Sequence, residues 1–513
     1  MRWWPLVLVV TVGMSRVPAV QAGRILCLGA ISSKSHKNFF MGIVNALADH
    51  GNQVTMVSPY NPSKVRENVR EVVLSGVNIE NIVPNLFTGS KVSGPWKLMQ
   101  NVPKLCSDAL EQKPMQDLLK EEFDLVLLTA FMAECFLSVV YQLKVPHIYV
   151  IPAGPMAPFT RISGNPSFPS YVVNKLFSFT LPMSFTERMM NTMSDVAATA
   201  AFTHIVRDKS ESECRHRGLC PSDMPSFADI QQNTSLLLFN SIRTLESPPS
   251  PAVPSMIFSG GIHTRPAQPL PKDLEEWVKG AGSDGFIFFS LGSAVKPSSL
   301  PEEYRKILLE VFGSLKQRVL WKWDQDTMKD LPPNVRLGKW LPQQDILGDP
   351  RLRLFITHGG LLSTLESMYN GIPVLGMPVF GDQERNMREV ERDGWGRVLT
   401  WEHLTPDTLT QNIHFVSTDQ KLRQEAARRS VIMKDQPQDA KELTVFWVEY
   451  VMRHHGASHL RCPAVNMSWV EVYNVDVWAT VVVVAVLMVW VIFRLLQALY
   501  RCLCSSKDKR KLD

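Results

Sequence analysis

The residues of this chain that could do chemistry gather after apolar strands. In "FITHGGLLSTLES" (355–367) an apolar run ends in His358, Gly359 and Gly360, and a helix pattern follows. A helix start leaves backbone N–H groups unpaired at the positive end of the dipole, which suits an anion such as a phosphate. The glycines let backbone approach a ligand closely. Ser363 and Glu366 stand in the spacing of a capping box, so the same residues also suit an ordinary capped helix. Gly371 sits where a left-handed residue ends a helix, and Ile372 opens another apolar run, completing a β-α-β unit. Two more polar groups follow apolar strands: His36 in the loop "SSKSHKNFF" and Ser293 in "FFSLGS". Open α/β sheets bind ligands beyond the carboxyl ends of their strands, so His36, Ser293 and His358 are expected at one cleft.

Two α/β series must position these groups. The first has a strand over 24–29, a helix over 39–50 ended by Gly51, and strands over 53–57 and 123–128. Strands alternating with helices imply a parallel sheet covered on both faces. Proline and serine crowd together over 246–255, and prolines return in "RPAQPLP" (265–271), which marks the crossing between domains. The second series runs from "GFIFFSLGSAVKP" through a helix over 302–315 and a strand over 318–323 to the unit around His358. The expected fold class is α/β, with two Rossmann-like domains facing a cleft. The expected boundaries are 23–255 and 256–455, then a juxtamembrane segment over 456–474.

Composition and the two ends bound the remainder. A net charge of +5 over 513 residues is no nucleic-acid footprint, and no Cys/His spacing suggests a metal site. Residues 1–22 carry Arg2, a short apolar core and small residues before the expected cleavage point, the pattern of a secretory signal peptide. "VWATVVVVAVLMVWVIF" (477–493) is uncharged, and Arg494 can snorkel, so a transmembrane helix is expected over 475–496. The basic tail 497–513 then lies in the cytosol and the domains lie in a lumen or outside, a single-pass type I topology. Lys509 and Lys511 resemble a dilysine retrieval signal of endoplasmic reticulum membrane proteins. A generic basic anchor to anionic lipid is the other reading. Asn233 and Asn466 open glycosylation sequons. Cys214 and Cys220 are close enough to pair, and Cys502 and Cys504 are juxtamembrane candidates for acylation.

The run "KWLPQQDILGDPRLRLFITHGGLLSTLESMYNGIPVLGMPVFGDQERN" (339–386) resembles the signature of UDP-glycosyltransferases, the family that includes UDP-glucuronosyltransferases. The similarity extends to "FSGGIHTRPAQPLPKDLEEW", "FFSLGS" and "FWVEYVMRHHGASHLR", essentially the whole chain. It implies a GT-B fold, with the acceptor in the N-terminal domain and the sugar nucleotide in the C-terminal one. By the resemblance, His358, Gly360, Ser363 and Ser293 hold the diphosphate, and Glu366 takes the ribose hydroxyls or merely caps its helix. Trp340 stacks on uracil, Gln343 contacts the nucleoside, and Asp382 with Gln383 binds the sugar hydroxyls. Leu362 stands where many relatives have asparagine. No cofactor is implied beyond the UDP-sugar co-substrate.

His36 falls at the family's general base, where a neutral imidazole would take the acceptor proton. The aspartate that orients it in the family maps to Thr129, which cannot carry charge. Glu134 is the nearest later carboxylate and a candidate substitute; Asp124 better suits a capping or strand-edge role. The resemblance implies inverting, metal-independent transfer of glucose or glucuronic acid to a hydroxyl of a small lipophilic acceptor. Thr129 favours the alternative of an impaired relative that binds UDP-sugar or regulates active partners. A cell-surface receptor fits the topology but leaves the donor signature unused. Self-association into a homo-oligomer stays open.

Overall fold

The computed structural model describes residues 22–509 except 64, 78–92, 131–132, 175–176, 178, 180 and 294. The expected signal peptide (apart from Ala22) and Lys511 lie outside the described residues. The first sheet has β1 (Arg24–Leu28), β2 (Gln53–Ser58), β3 (Val69–Val73), β4 (Leu125–Thr129), β5 (His147–Ile151), β6 (Leu236–Phe239) and β7 (Met256–Phe258). The second has β8 (Phe286–Ser290), β9 (Arg318–Lys322), β10 (Val335–Gly338), β11 (Leu352–Thr357), β12 (Val374–Gly376) and β13 (Gly396–Val398). Both sheets are parallel, in the orders β3-β2-β1-β4-β5-β6-β7 and β10-β9-β8-β11-β12-β13.

Their central strands are apolar on both faces because both faces are covered. Leu26 and Leu128 enter one hydrophobic cluster, while Ile25, Cys27 and Leu127 enter the cluster on the opposite side. In the second sheet Ile287 and Phe289 face one core, and Phe286 and Phe288 the other. Strand order reverses at the β1/β4 pair and at the β8/β11 pair. Those switch points open a crevice beyond the strand ends, and His36, Ser293 and His358 all follow one of these four strands.

Three boundaries differ from the sequence reading. The first helix is Lys34–Asp49, because Ser33 caps it by accepting from the His36 N–H at 3.3 Å. His36 therefore sits in the first helical turn and not in a loop. β7 begins one residue past the expected limit of 255, yet pairs with β6 through Leu237 and Met256. The chain leaves the first sheet after 258, so the serine-proline stretch 246–255 is a loop inside the first domain. Later the helix Ala440–Arg453 returns to that domain: Val445, Val448 and Val451 pack with Phe39 and Phe40, and Asn52 donates to Glu449 Oε1 at 3.0 Å. An apolar helical face reads the same whichever core it joins, so the return is invisible in sequence.

Disulfides join Cys214 to Cys220 and Cys106 to Cys135. A helix follows over Val475–Lys509, within which Val475–Arg501 is long and apolar enough to cross a membrane.

Candidate active site

A cleft of about 1450 Å³ separates the two sheets. His36 lines it together with Ser293, Trp340, Gln343, His358, Gly360, Ser363, Glu366, Asp382 and Gln383. Thr129 and Glu134 are not among its lining residues.

The turn after β11 leads straight into the helix Leu361–Asn370. Gly359 adopts φ +85°, so the chain enters the helix from glycine and Gly360 is the cap, with no side-chain capping bond. The expected capping box does not form: Ser363 lies in the first turn and Glu366 in the second. The first N–H groups of this helix are thus left to a ligand in the cleft. A side chain at Gly360 would meet His358 Nε2 at 2.7 Å, and one at Gly292 (φ +77°) would strike the same ring. Both glycines are required for the imidazole to sit there. Burial, reinforced by the Lys322 charge, pushes His358 down to about 3, so it is neutral. Its buried Nδ1 has no hydrogen-bond partner among the described residues.

Gln343 organises the neighbouring carboxylate. Its amide donates to Ser363 Oγ at 2.9 Å and to Glu366 Oε2 at 2.5 Å. Burial raises Glu366 to about 7, with Gln343 and Gln344 opposing the shift. His263, on the segment crossing between domains, donates from Nε2 to the Leu362 carbonyl at 3.3 Å and lies 4.0 Å from Glu366. Leu362 itself packs against the apolar cluster of the first domain. Where an asparagine would offer an amide, this chain has a domain-to-domain contact.

Two cations flank Trp340. Lys34 Nζ, from the first domain, is 4.3 Å from the ring centroid, and Lys322 Nζ, from the end of β9, is 5.9 Å away. Lys322 also donates to the Gly292 carbonyl. Burial, then the Lys34 charge, lowers Lys322 to about 8. Lys34, Lys322 and His263 escape a motif reading. The available signal for Lys322 is a lone cation at the carboxyl end of an apolar strand, "VLWKW".

The loop after β12 precedes the helix Gln383–Arg392. Gln383 Oε1 accepts from the N–H groups of Val379 and Phe380, at 2.9 and 3.1 Å, which leaves its amide hydrogens for a ligand. Asn386 donates to Asp382 Oδ2 at 2.9 Å and to the Gly359 carbonyl at 3.0 Å, tying this loop to the His358 turn. Arg385 donates across the cleft to the Val173 carbonyl at 2.9 Å.

The opposite wall is mostly apolar, from Met156, Phe159, Val172, Phe177 and Phe202. Of the apolar stretch 174–190, Phe177 lines the cleft, whereas Phe185 and Met189 are exposed. His36 stands in this wall, and burial lowers it to about 4, so its imidazole is neutral. Thr129 ends β4 and is buried. Glu134 lies in a short turn at Glu134–Phe136. Burial raises it to about 7, against the Arg207 charge, and it bears on the Tyr149 phenol. Its surroundings are the first domain's interior and not the cleft. Asp124 accepts from the Arg24 N–H at 2.7 Å, at the strand end remote from the cleft. Asn233 and Asn466 are exposed, and Asn233 Oδ1 accepts from Arg461 at 2.9 Å.

Residues 32–511 match the family model described as UDP-glucoronosyl and UDP-glucosyl transferase. The chain is 31% identical to UDP-glycosyltransferase UGT5 of Dactylopius coccus, covering 94% of this chain and 93% of that one. It is 31% identical to UDP-glucuronosyltransferase 2B14 of Oryctolagus cuniculus (83% and 82% covered). Identity is 30% to 2-hydroxyacylsphingosine 1-beta-galactosyltransferase of Mus musculus (97% and 92%). Among solved structures, a UDP-glucosyltransferase from Polygonum tinctorium aligns with TM-score 0.59 at 14% identity, covering 84% of this chain and 99% of that one. The calicheamicin glycosyltransferase CalG4 aligns with TM-score 0.57 at 15% identity (84% and 98%). The parallel sheets, the cleft at their switch points and these matches agree: the chain belongs to the UDP-glucuronosyl and UDP-glucosyl transferase family and is a GT-B glycosyltransferase.

Proposed function

We propose that this enzyme moves glucose or glucuronic acid from a UDP-sugar to a hydroxyl of a small lipophilic acceptor, with inversion and without a metal. The observation that carries this reading is the opposition of two unlike walls: a neutral His36 on one, and an uncapped helix start with His358 and Lys322 on the other. The acceptor oxygen bonds to the anomeric carbon as the carbon–oxygen bond to UDP breaks, and the hydroxyl proton passes to His36. Attack and departure from opposite faces of the sugar invert the anomeric centre. The helix N–H groups, the His358 imidazole and the Lys322 ammonium receive the charge that develops on UDP. Ser293 lies beside them, Trp340 and Gln343 take the nucleoside, Glu366 takes the ribose, and Asp382 with Gln383 takes the sugar hydroxyls. The apolar wall takes the acceptor.

Thr129 favours a second reading, in which donor binding is retained and turnover is weak. A threonine supplies no charge to stabilise the imidazolium that forms at His36 during transfer. The pattern of ends supports a type I protein of the endoplasmic reticulum membrane with its catalytic domains in the lumen. Product formation decides between the readings. Membranes carrying the full chain are given UDP-glucose or UDP-glucuronic acid with phenol and steroid acceptors, beside His36→Ala. Turnover lost in the variant establishes transfer through His36 and names the donor. UDP-sugar binding by both proteins without turnover establishes the second reading.

A further inference from the structure

Lys34 is the first residue of the helix Lys34–Asp49 and shares its opening turn with His36. Its side chain is exposed and crosses the cleft: Nζ lies 4.3 Å from the ring centroid of Trp340, which follows β10 in the second sheet. Trp340 is 64% exposed, and Lys322 Nζ approaches the same ring to 5.9 Å. One ammonium group from each wall is thus brought to a single indole. The ring attracts each cation, but two like charges brought together repel. The repulsion is felt at Lys322: after burial, the Lys34 charge is the largest cause that lowers it to about 8. Such convergence disfavours the protein by itself and favours an anion seated between the two.

The surroundings say which anion. The helix start at Leu361 leaves its first N–H groups to the cleft, with His358 and Ser363 beside it, which suits phosphate. The exposed indole on the same wall suits a flat nucleobase. Together they describe a nucleoside diphosphate. Lys34 reaches Trp340 from the opposite wall, so it covers the ring on the side that faces the cleft. That is the side a stacking base must take.

We propose that Lys34 is a ligand to the diphosphate of the UDP-sugar, contributed by the first domain, and that the uracil ring displaces it from Trp340 onto that diphosphate. A lysine stem has four flexible carbons, so the ammonium leaves the ring while its helix stays in place. The phosphates then stand between Lys34 and Lys322, and the donor is held from both walls. The inference rests on the reading of the cleft as a UDP-sugar site. It makes opposite demands on two ligands. Uridine must expel Lys34 from the ring and offers it no phosphate, whereas UDP receives a charge-assisted contact in exchange.

The test is calorimetric titration of the full chain in detergent with UDP and with uridine, for the wild type, Lys34→Met and Lys34→Arg. Lys34 is exposed, so neither substitution leaves a buried charge. Both Kd values come from one preparation, so any loss of folded protein moves the fitted stoichiometry and not their ratio. Lys34→Met is expected to raise the UDP Kd by about tenfold, the worth of one charge-assisted contact. The uridine Kd is expected to stay unchanged or fall, and Lys34→Arg to recover most of the UDP affinity. Equal weakening of uridine and UDP overturns the proposal, because it shows a lysine that only props the indole. So does a UDP Kd that Lys34→Met leaves unchanged. Wild-type protein that binds no UDP overturns the underlying donor reading, and this inference with it.

Discussion

In the wall of the cleft that we propose holds the donor, polar side chains hold one another: Gln343 bridges Ser363 and Glu366, and Asn386 bridges Asp382 and the Gly359 carbonyl. In the wall that we propose holds the acceptor, His36 lines the cleft with Met156, Phe159 and Val172, and buried Thr129 ends β4. On that proposal, a donor of defined shape is met by a network whose members are fixed before it arrives. A lipophilic acceptor is met by apolar surface that gains from burial and specifies little direction. On the proposed assignment the donor wall is organised for recognition, and the acceptor wall concentrates its chemistry in one imidazole.

The largest effect that sharpens this contrast is expected from His36→Ala. Loss of a positioned base should lower kcat by about 10²–10⁴-fold while UDP-sugar affinity, measured by calorimetry, stays unchanged. A parallel loss of donor affinity would break the division between the halves. His358→Ala should follow, with kcat lowered by about 10²-fold because one donor to the departing diphosphate is removed.

Lys322→Met should raise the UDP-sugar KM by about tenfold with a smaller change in kcat. The wild-type enzyme should also lose donor affinity as pH rises through about 8, where buried Lys322 gives up its charge, and the variant should lack that limb. At the other end of the profile, burial favours neutral His36 down to about 4, so kcat/KM should fall only as pH approaches that value. An acid limb near pH 6.5 would show an imidazole that gains its proton more readily than the buried site allows.

The smallest expected effect is a gain. Thr129→Asp should raise kcat several-fold and move the acid limb upward, since a carboxylate beside the imidazole favours its charged form. An unchanged profile would show that the end of β4 does not communicate with His36 in this chain.

Much of the donor half is legible because it is local. A strand, a two-glycine turn and a helix start lie within a dozen residues, and the apolar period marks each element. The capping-box reading of Ser363 and Glu366 misled for an equally local reason, since spacing alone does not say where the first turn begins. Cys214 and Cys220 are near neighbours and pair, whereas Cys106 and Cys135 meet only because the fold brings their elements together. The helix Phe185–Ala201 has a readable period, but which face is inside depends on the preceding loop, where Ser167, Pro169, Val172 and Asn174 hold Asn191 and Asp195 by hydrogen bonds.

By itself, the sequence determined the two parallel sheets, the glycine turn and helix at His358, the family and the apolar C-terminal helix. Each of these follows from periodicity, from glycine placement or from contiguous motif residues. Only the tertiary structure decided that β7 belongs to the first sheet and that Ala440–Arg453 returns to it. It also decided that Lys34 and Lys322 converge on Trp340, that Leu362 joins the domains, and that Glu134 faces Arg207 and Tyr149. Each of these is a contact between residues distant in the chain. A local pattern sets what a segment can bury, and only packing sets what it is buried against.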